Sequence, residues 1–143
     1  LKVKANGRMV TAHDISELQS MREELRLYLQ RRALPADVTY DVLTCVQEAC
    51  MNALRFAASP RGVRAWIVIN SNEVVATVRD YGGGLALAVP VACPEPDAYC
   101  ESGRGLFLMV ELMDRVEFRV AGGTQVRLHK LLPAPTIAEA RVA

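Results

Sequence analysis

The apolar residues of this chain change their spacing repeatedly, and that succession of periods constrains the fold more than any other feature of the sequence. Between Ser16 and about Arg32, Leu18, Met21, Leu25 and Tyr28 recur at intervals of three and four, which is one face of a helix. A second helical stretch runs from near Asp37 to about Ala58, with Val42, Val46, Ala49, Ala53 and Phe56 as its stripe. From Val63 to Asn70 and from Glu73 to Arg79 the sequence turns β-rich around Ser71-Asn72, the pattern of an antiparallel hairpin. Helical spacing returns with Leu106, Met109, Val110 and Met113, between Gly105 and Asp114. Two more strands, Arg115 to Val120 and Thr124 to Leu131, flank the turn Ala121-Gly122-Gly123, and a short strand from Arg8 to Ala12 opens the chain. The order β-α-α-β-β-loop-α-β-β predicts an α/β two-layer sandwich, a mostly antiparallel mixed sheet covered on one face by helices.

Local signals punctuate these elements. Asp14-Ile-Ser-Glu17 resembles a capping box at the start of the first helix. That helix stops before Pro35, because the residue preceding proline avoids helical angles. Ser59-Pro60-Arg61-Gly62 ends the second. Between Tyr81 and Ser102 little is patterned, and a loop longer than about 15 residues inside a compact domain is usually functional or disordered. One domain over residues 1–132 with a fraying tail over 133–143 accounts for the length of 143 residues. The start at Leu1 rather than Met reads as a processed chain or as a domain cut from a longer protein.

Composition narrows the classes of partner. A net charge of +1 gives no global attraction to nucleic acid or to a membrane surface. No apolar run approaches the roughly 20 residues of a membrane span, and no signal segment opens the chain, so the expectation is a cytoplasmic protein. Of the four cysteines, Cys45 and Cys50 lie about 140° apart around a helix, Cys93 and Cys100 fall in the irregular stretch, and no C-x-x-C pair occurs. Free thiols in a reducing compartment fit better than disulfides or a metal site.

Three segments carry chemistry. In Val46-Gln47-Glu48-Ala49-Cys50-Met51-Asn52-Ala53, Glu48 and Asn52 are four apart and stack on one side of the helix, at the flank of its apolar stripe. An amide oxygen suits Mg²⁺, and a carboxylate one turn away can order or deprotonate a nucleophile; an ordinary polar helix flank is the plainer reading of the pair alone. In Val78-Arg79-Asp80-Tyr81-Gly82-Gly83-Gly84, an aspartate at a strand end precedes glycines that permit close backbone approach, or that simply make a turn. In Ser102-Gly103-Arg104-Gly105-Leu106, glycines before a helix offer free N–H groups, and Arg104 a cation, to phosphates. Neither a Walker loop nor a Rossmann fingerprint is present.

Taken together and in this order, the segments resemble the N, G1 and G2 boxes of the superfamily of gyrase, heat-shock chaperone, histidine-kinase and MutL ATPases, with Gly123-Thr124 similar to its closing element. Within it, Glu48-Ala49-Cys50-x-Asn52-Ala53 and Gly105-Leu106-x-Leu108-Met109-x-x-Leu112-Met113-Asp114-x-Val116 resemble the bacterial anti-sigma-factor serine-protein kinases, over roughly Ile15 to Lys130. The resemblance implies a Bergerat ATP-binding fold with ATP and Mg²⁺ as cofactors. It implies Asn52 as the Mg²⁺ ligand, Asp80 as acceptor from the adenine amino group, and Gly82 and Gly84 as the approach to the base. Gly103, Arg104 and Gly105 would line the triphosphate, with Leu106 and Thr124 also among the cofactor-binding residues. Glu48 would be the catalytic carboxylate, and the loop between Gly84 and Gly103 the ATP lid. Such proteins bind a sigma factor, phosphorylate an anti-anti-sigma partner on serine or threonine, and commonly form homodimers. Phe56 stands where the family often has His or Tyr, and Arg104 at a position the family fills variably. Two alternatives are an ATP-binding regulatory module with little turnover and a histidine-kinase catalytic domain. The latter lacks a phosphoacceptor histidine on the helix before the N box, since His13 precedes that helix.

Overall fold

Alternation along the strands decides which side of the sheet the helices cover. The computed structural model describes residues 7–56, 58–82, 101–120 and 122–133, of which 101–104 by backbone alone. Five strands, β1 (Gly7–Ala12), β2 (Val63–Ile69), β3 (Glu73–Arg79), β4 (Arg115–Val120) and β5 (Thr124–Leu131), lie in the order β1-β2-β3-β5-β4. Every pairing is antiparallel, so the described sheet contains none of the parallel pairs that a mixed sheet would have. Val63, Ala65 and Ile67 of β2 and Val74, Ala76 and Val78 of β3 are buried on one face, together with Val126 and Leu128 of β5. Three helices cover that face: α1 (Leu18–Arg31), α2 (Ala36–Phe56) and α3 (Glu101–Leu112).

The start of α1 matches its sequence signal. Asp14 accepts from the Glu17 amide at 3.3 Å, and Glu17 reaches back to the His13 amide, one residue earlier than in an ideal capping box. A single 3₁₀ turn, Ile15–Glu17, precedes the α-helix. Helix α2 buries Val42, Val46, Ala49 and Ala53 of its expected stripe but leaves Phe56 at its end only half-buried, and its buried face is wider than the stripe because it has a neighbour on each flank. On one side the Cys50 thiol meets the Met21 sulfur of α1 at 3.7 Å; on the other the Cys45 thiol meets the Leu108 carbonyl of α3 at 3.9 Å. Two thiols on different sides of one helix are thus both buried and free, and burial pushes each up to about 12. Cys93 and Cys100 lie outside the described residues.

Helix α3 begins at Glu101, four residues before the expected Gly105. Gly103 and Gly105 read as helix breakers in isolation, yet a glycine costs only about 1 kcal/mol in a helix. Burial of Met109 and Met113 against the core offsets that cost. Val110, expected on the apolar face, is instead 60% exposed. The far end of α3 is fixed to β5: the Lys130 ammonium donates to the Leu112 carbonyl at 2.6 Å and pairs with Asp41 of α2 at 2.9 Å. The Asp114 amide donates to the His129 carbonyl, and Asp114 accepts from the Leu131 amide at 2.6 Å. Among the described residues no helix is long and apolar enough to cross a membrane. The tail from residue 134 lies outside them.

Candidate functional site

At the end of β3 the chain leaves the sheet through Asp80, which is 3% exposed. Its carboxylate is held by backbone: Oδ1 accepts from the Thr124 amide at 3.0 Å and from the Gly82 amide at 3.1 Å. The Asp80 amide donates in return to the Thr124 carbonyl at 3.0 Å, so β5 grips this residue twice. Both bonds to the carboxylate fall on Oδ1, and neither engages Oδ2. Burial raises the Asp80 carboxyl above its ordinary value, opposed by those two amides and by Arg79. The close approach of the two strands depends on Gly123, whose φ of +130° puts it in a region L side chains rarely adopt. A Cβ there would collide with the Asp80 carbonyl and stand 3.0 Å from the Tyr81 Cα.

Across from this sheet end, α2 presents Glu48 and Asn52. Asn52 is 6% exposed and Glu48 half-buried. Both meet α3 at Gly105, where an added Cβ would come within 3.1 Å of Glu48 Oε2 and 3.2 Å of Asn52 Nδ2. The bare glycine lets the first turns of α3 lie against the two polar side chains, which places the N-box pair and the G2 segment in contact.

One narrow cleft of about 10 Å³, the room of a single water, joins the two ends. Its polar groups are Asn52, Asp80 and Thr124; Val78 and Val126 form its floor, paired in register on β3 and β5. Ala49 and Ala53 of α2, Leu106 and Met109 of α3 and Phe118 of β4 make the walls. The Thr124 hydroxyl is fully buried with no hydrogen-bond partner, alone in this among the described side chains. An orphaned donor and acceptor of this kind costs about 1–3 kcal/mol, which a ligand group could recover. The lining, apolar side chains with a carboxylate, a hydroxyl and an amide as its polar groups, has the chemistry of a site for a heterocycle bearing a polar extension.

The structure brings Asn52, Asp80, Leu106 and Thr124 to one cleft, with Glu48 and Gly105 beside Asn52 and with Gly82 holding Asp80. Gly103 and Arg104 fall within the first turn of α3 rather than in a loop before it, which corrects their expected setting. Gly84 and residues 83–100 of the expected lid lie outside the described residues. Phe118 of the walls and Val126 of the floor were not singled out in the sequence, while Ala49 and Met109 were read there only as apolar helix faces. The signal that could have found the floor is the period-two face shared by Thr124, Val126 and Leu128, all buried.

Comparison with known proteins bears on the same residues. The family model of the histidine kinase-like ATPase domain matches residues 11–130. Among solved structures, the chain is similar to the RsbU and RsbW domains of Rv1364c from Mycobacterium tuberculosis, with a TM-score of 0.69 and 18% identity over 91% of this chain. It spans only 33% of that chain. It is also similar to a chain of the SiaB–SiaC complex from Pseudomonas aeruginosa, with a TM-score of 0.62 and 14% identity, covering 85% of this chain and 88% of that one. At these identities the likeness is one of fold. No curated protein matches the sequence.

Proposed function

The chain belongs to the histidine kinase-like ATPase domain family, and from that premise we propose that it is an ATP-dependent serine/threonine protein kinase that acts as an anti-sigma factor. In this reading it binds a sigma factor, phosphorylates an anti-anti-sigma antagonist on serine or threonine, and works as a homodimer. The observation that carries the nucleotide part is the convergence of Asn52, Asp80 and the unpartnered Thr124 hydroxyl on one cleft. The donor set fits the group. A carboxylate oxygen beside an orphan hydroxyl matches an amino-substituted purine edge, and a buried amide oxygen matches a hard cation.

In this assignment the Asp80 carboxylate receives the adenine amino group, its orientation fixed by the Thr124 and Gly82 amides. Thr124 contributes its hydroxyl to the same edge, and Leu106, Met109 and Val126 exclude water from the faces of the base. Asn52 holds Mg²⁺, which when bound neutralises phosphate charge. In the first turn of α3, Gly103 presents a free N–H group and the positive helix end to the phosphates, with Arg104 and Gly105 beside it. Glu48, one turn from Asn52, accepts the proton of the incoming protein hydroxyl. The partial exposure of Glu48 supports this role, since a protein substrate must reach it from outside.

The test is incubation with labelled ATP, Mg²⁺ and candidate small antagonist proteins, followed by phosphosite mapping. Transfer to one serine or threonine is expected. Glu48→Gln should retain nucleotide binding and lower transfer by roughly 10²–10⁴-fold. A Glu48→Gln protein that phosphorylates at the normal rate removes the base assignment. Tight ATP binding with no transfer to any antagonist would leave an ATP-responsive binding module in place of a kinase.

A further inference from the structure

The face of the sheet opposite the helices carries a feature that the nucleotide cleft does not use. Because β2 and β3 bury Val63, Ala65 and Val78 against the helices, the intervening Arg64 and Arg79 project to the other side. The two are direct cross-strand partners in the register. Like charges opposite one another on neighbouring strands are destabilising. Here both lie over one ring, together with a third cation: the guanidinium carbons of Arg61, Arg79 and Arg64 stand 3.8, 5.2 and 5.7 Å from the centroid of Tyr81. The electron-rich ring offsets part of the repulsion. It does not neutralise the charge. Among the described residues neither Arg61 nor Arg64 has a carboxylate within ion-pair distance.

We propose that the arginine cage around Tyr81 is a docking point for an acidic polypeptide segment, gripped through paired carboxylate–guanidinium contacts. Guanidinium groups laid against an aromatic ring keep their planar N–H edges available, and those edges match carboxylate oxygens two at a time. The same stacking disfavours single-stranded nucleic acid. Binding of that class relies on open aromatic faces for bases and on a charged track along the backbone, whereas Arg61 already sits over the Tyr81 ring and the chain's net charge is only +1. The cage adjoins the cleft through the chain itself, since Arg79 and Tyr81 flank Asp80. A partner held there would be one residue from the carboxylate gripped by β5. The inference rests on charge and geometry of the outer face and stands whether or not the cleft serves a kinase.

The experiment is fluorescence anisotropy with a labelled octaglutamate peptide at low salt, with octalysine and a single-stranded oligothymidylate as comparisons. The protein should bind octaglutamate, lose it as salt rises, ignore octalysine and bind the oligothymidylate more weakly than octaglutamate. Arg61→Glu with Arg64→Glu should weaken octaglutamate binding at least about tenfold, with Mg·ATP affinity unchanged. Should the reversal fail to fold, Arg61→Gln with Arg64→Gln is read in its place, and a loss of roughly threefold is expected. Tyr81→Leu, which keeps the charges and removes the ring, should weaken binding as well. Absence of octaglutamate binding, binding unaffected by the arginine substitutions, or a preference for the oligothymidylate would each overturn the proposal.

Discussion

The two ends of the cleft are built by different means. The end at Asp80 is made of sheet: two backbone amides fix Oδ1, the Thr124 carbonyl takes the Asp80 amide, and Gly123 admits the contact. The end at Asn52 is made of two helices meeting at one glycine, with α3 fastened at its far end by Lys130 and Asp114 and free of such ties, among the described residues, where Gly105 meets Glu48 and Asn52. A strand pair resists deformation because every backbone group in it is committed. Two helices touching through side-chain tips adjust by rotamer changes and small slides. In the proposed function, recognition of a base falls to the stiff end, and adjustment to phosphates and protein substrate to the compliant one.

The largest difference should appear in the two glycines. Gly123→Ala forces a Cβ into the Asp80 carbonyl at a φ that only glycine adopts readily. It should lower stability by about 3 kcal/mol in urea unfolding. A loss under about 1 kcal/mol would mean that the sheet end yields and the contrast fails.

Asp80→Asn sharpens the contrast at the level of charge. It preserves an acceptor for the Thr124 and Gly82 amides but removes the anion, so adenine nucleotides should bind about 2 kcal/mol more weakly and discrimination against guanine nucleotides should relax. Because burial raises the Asp80 carboxyl above its ordinary 3.8, the native side chain takes up its proton earlier in an acid titration than the unfolded chain does. Ionising it therefore costs stability as pH rises from 3.8 through the folded-state value, and nucleotide affinity falls as pH drops through that same window. The Asp80→Asn protein should lack both slopes when calorimetry is repeated across pH. An unchanged acid limb in that variant would assign the titration to another group.

Gly105→Ala should have the smallest effect on the fold. Alanine gains about 1 kcal/mol over glycine in a helix, set against a Cβ 3.1–3.2 Å from the ends of the Glu48 and Asn52 side chains. These can move, so thermal stability should shift by less than about 1 kcal/mol in either direction. Nucleotide affinity or transfer rate should change more than stability does. A large destabilisation would show the helix end to be as rigid as the sheet end.

The contrast also explains which parts were legible in the sequence. The interval of four on a strongly periodic helix places Glu48 and Asn52 on one flank, and Asp80 closes an apolar strand before glycines. Local pattern carries that placement, while their roles came only from the resemblance of the three segments taken together. The placement of β5 between β3 and β4 does not follow from local pattern, since it depends on pairing across the whole sheet; with it went the Val78–Val126 floor and the grip of Thr124 on Asp80. The early start of α3 was hidden because glycine signals a break in isolation, while the burial that overrides it is tertiary. Asn52 read as a flank residue for the same reason: only the arrival of α3 turns that flank inward.

The central claim is that one purine nucleotide spans the cleft from Asp80 to Asn52, and calorimetric titration of two ligands into two variants tests it most directly. With Mg·ATP, Asn52→Ala and Asp80→Asn should each weaken binding at least about tenfold. With metal-free adenosine, only Asp80→Asn should do so. Equal effects of both substitutions on adenosine, or Mg·ATP affinity untouched in Asn52→Ala, would contradict the account.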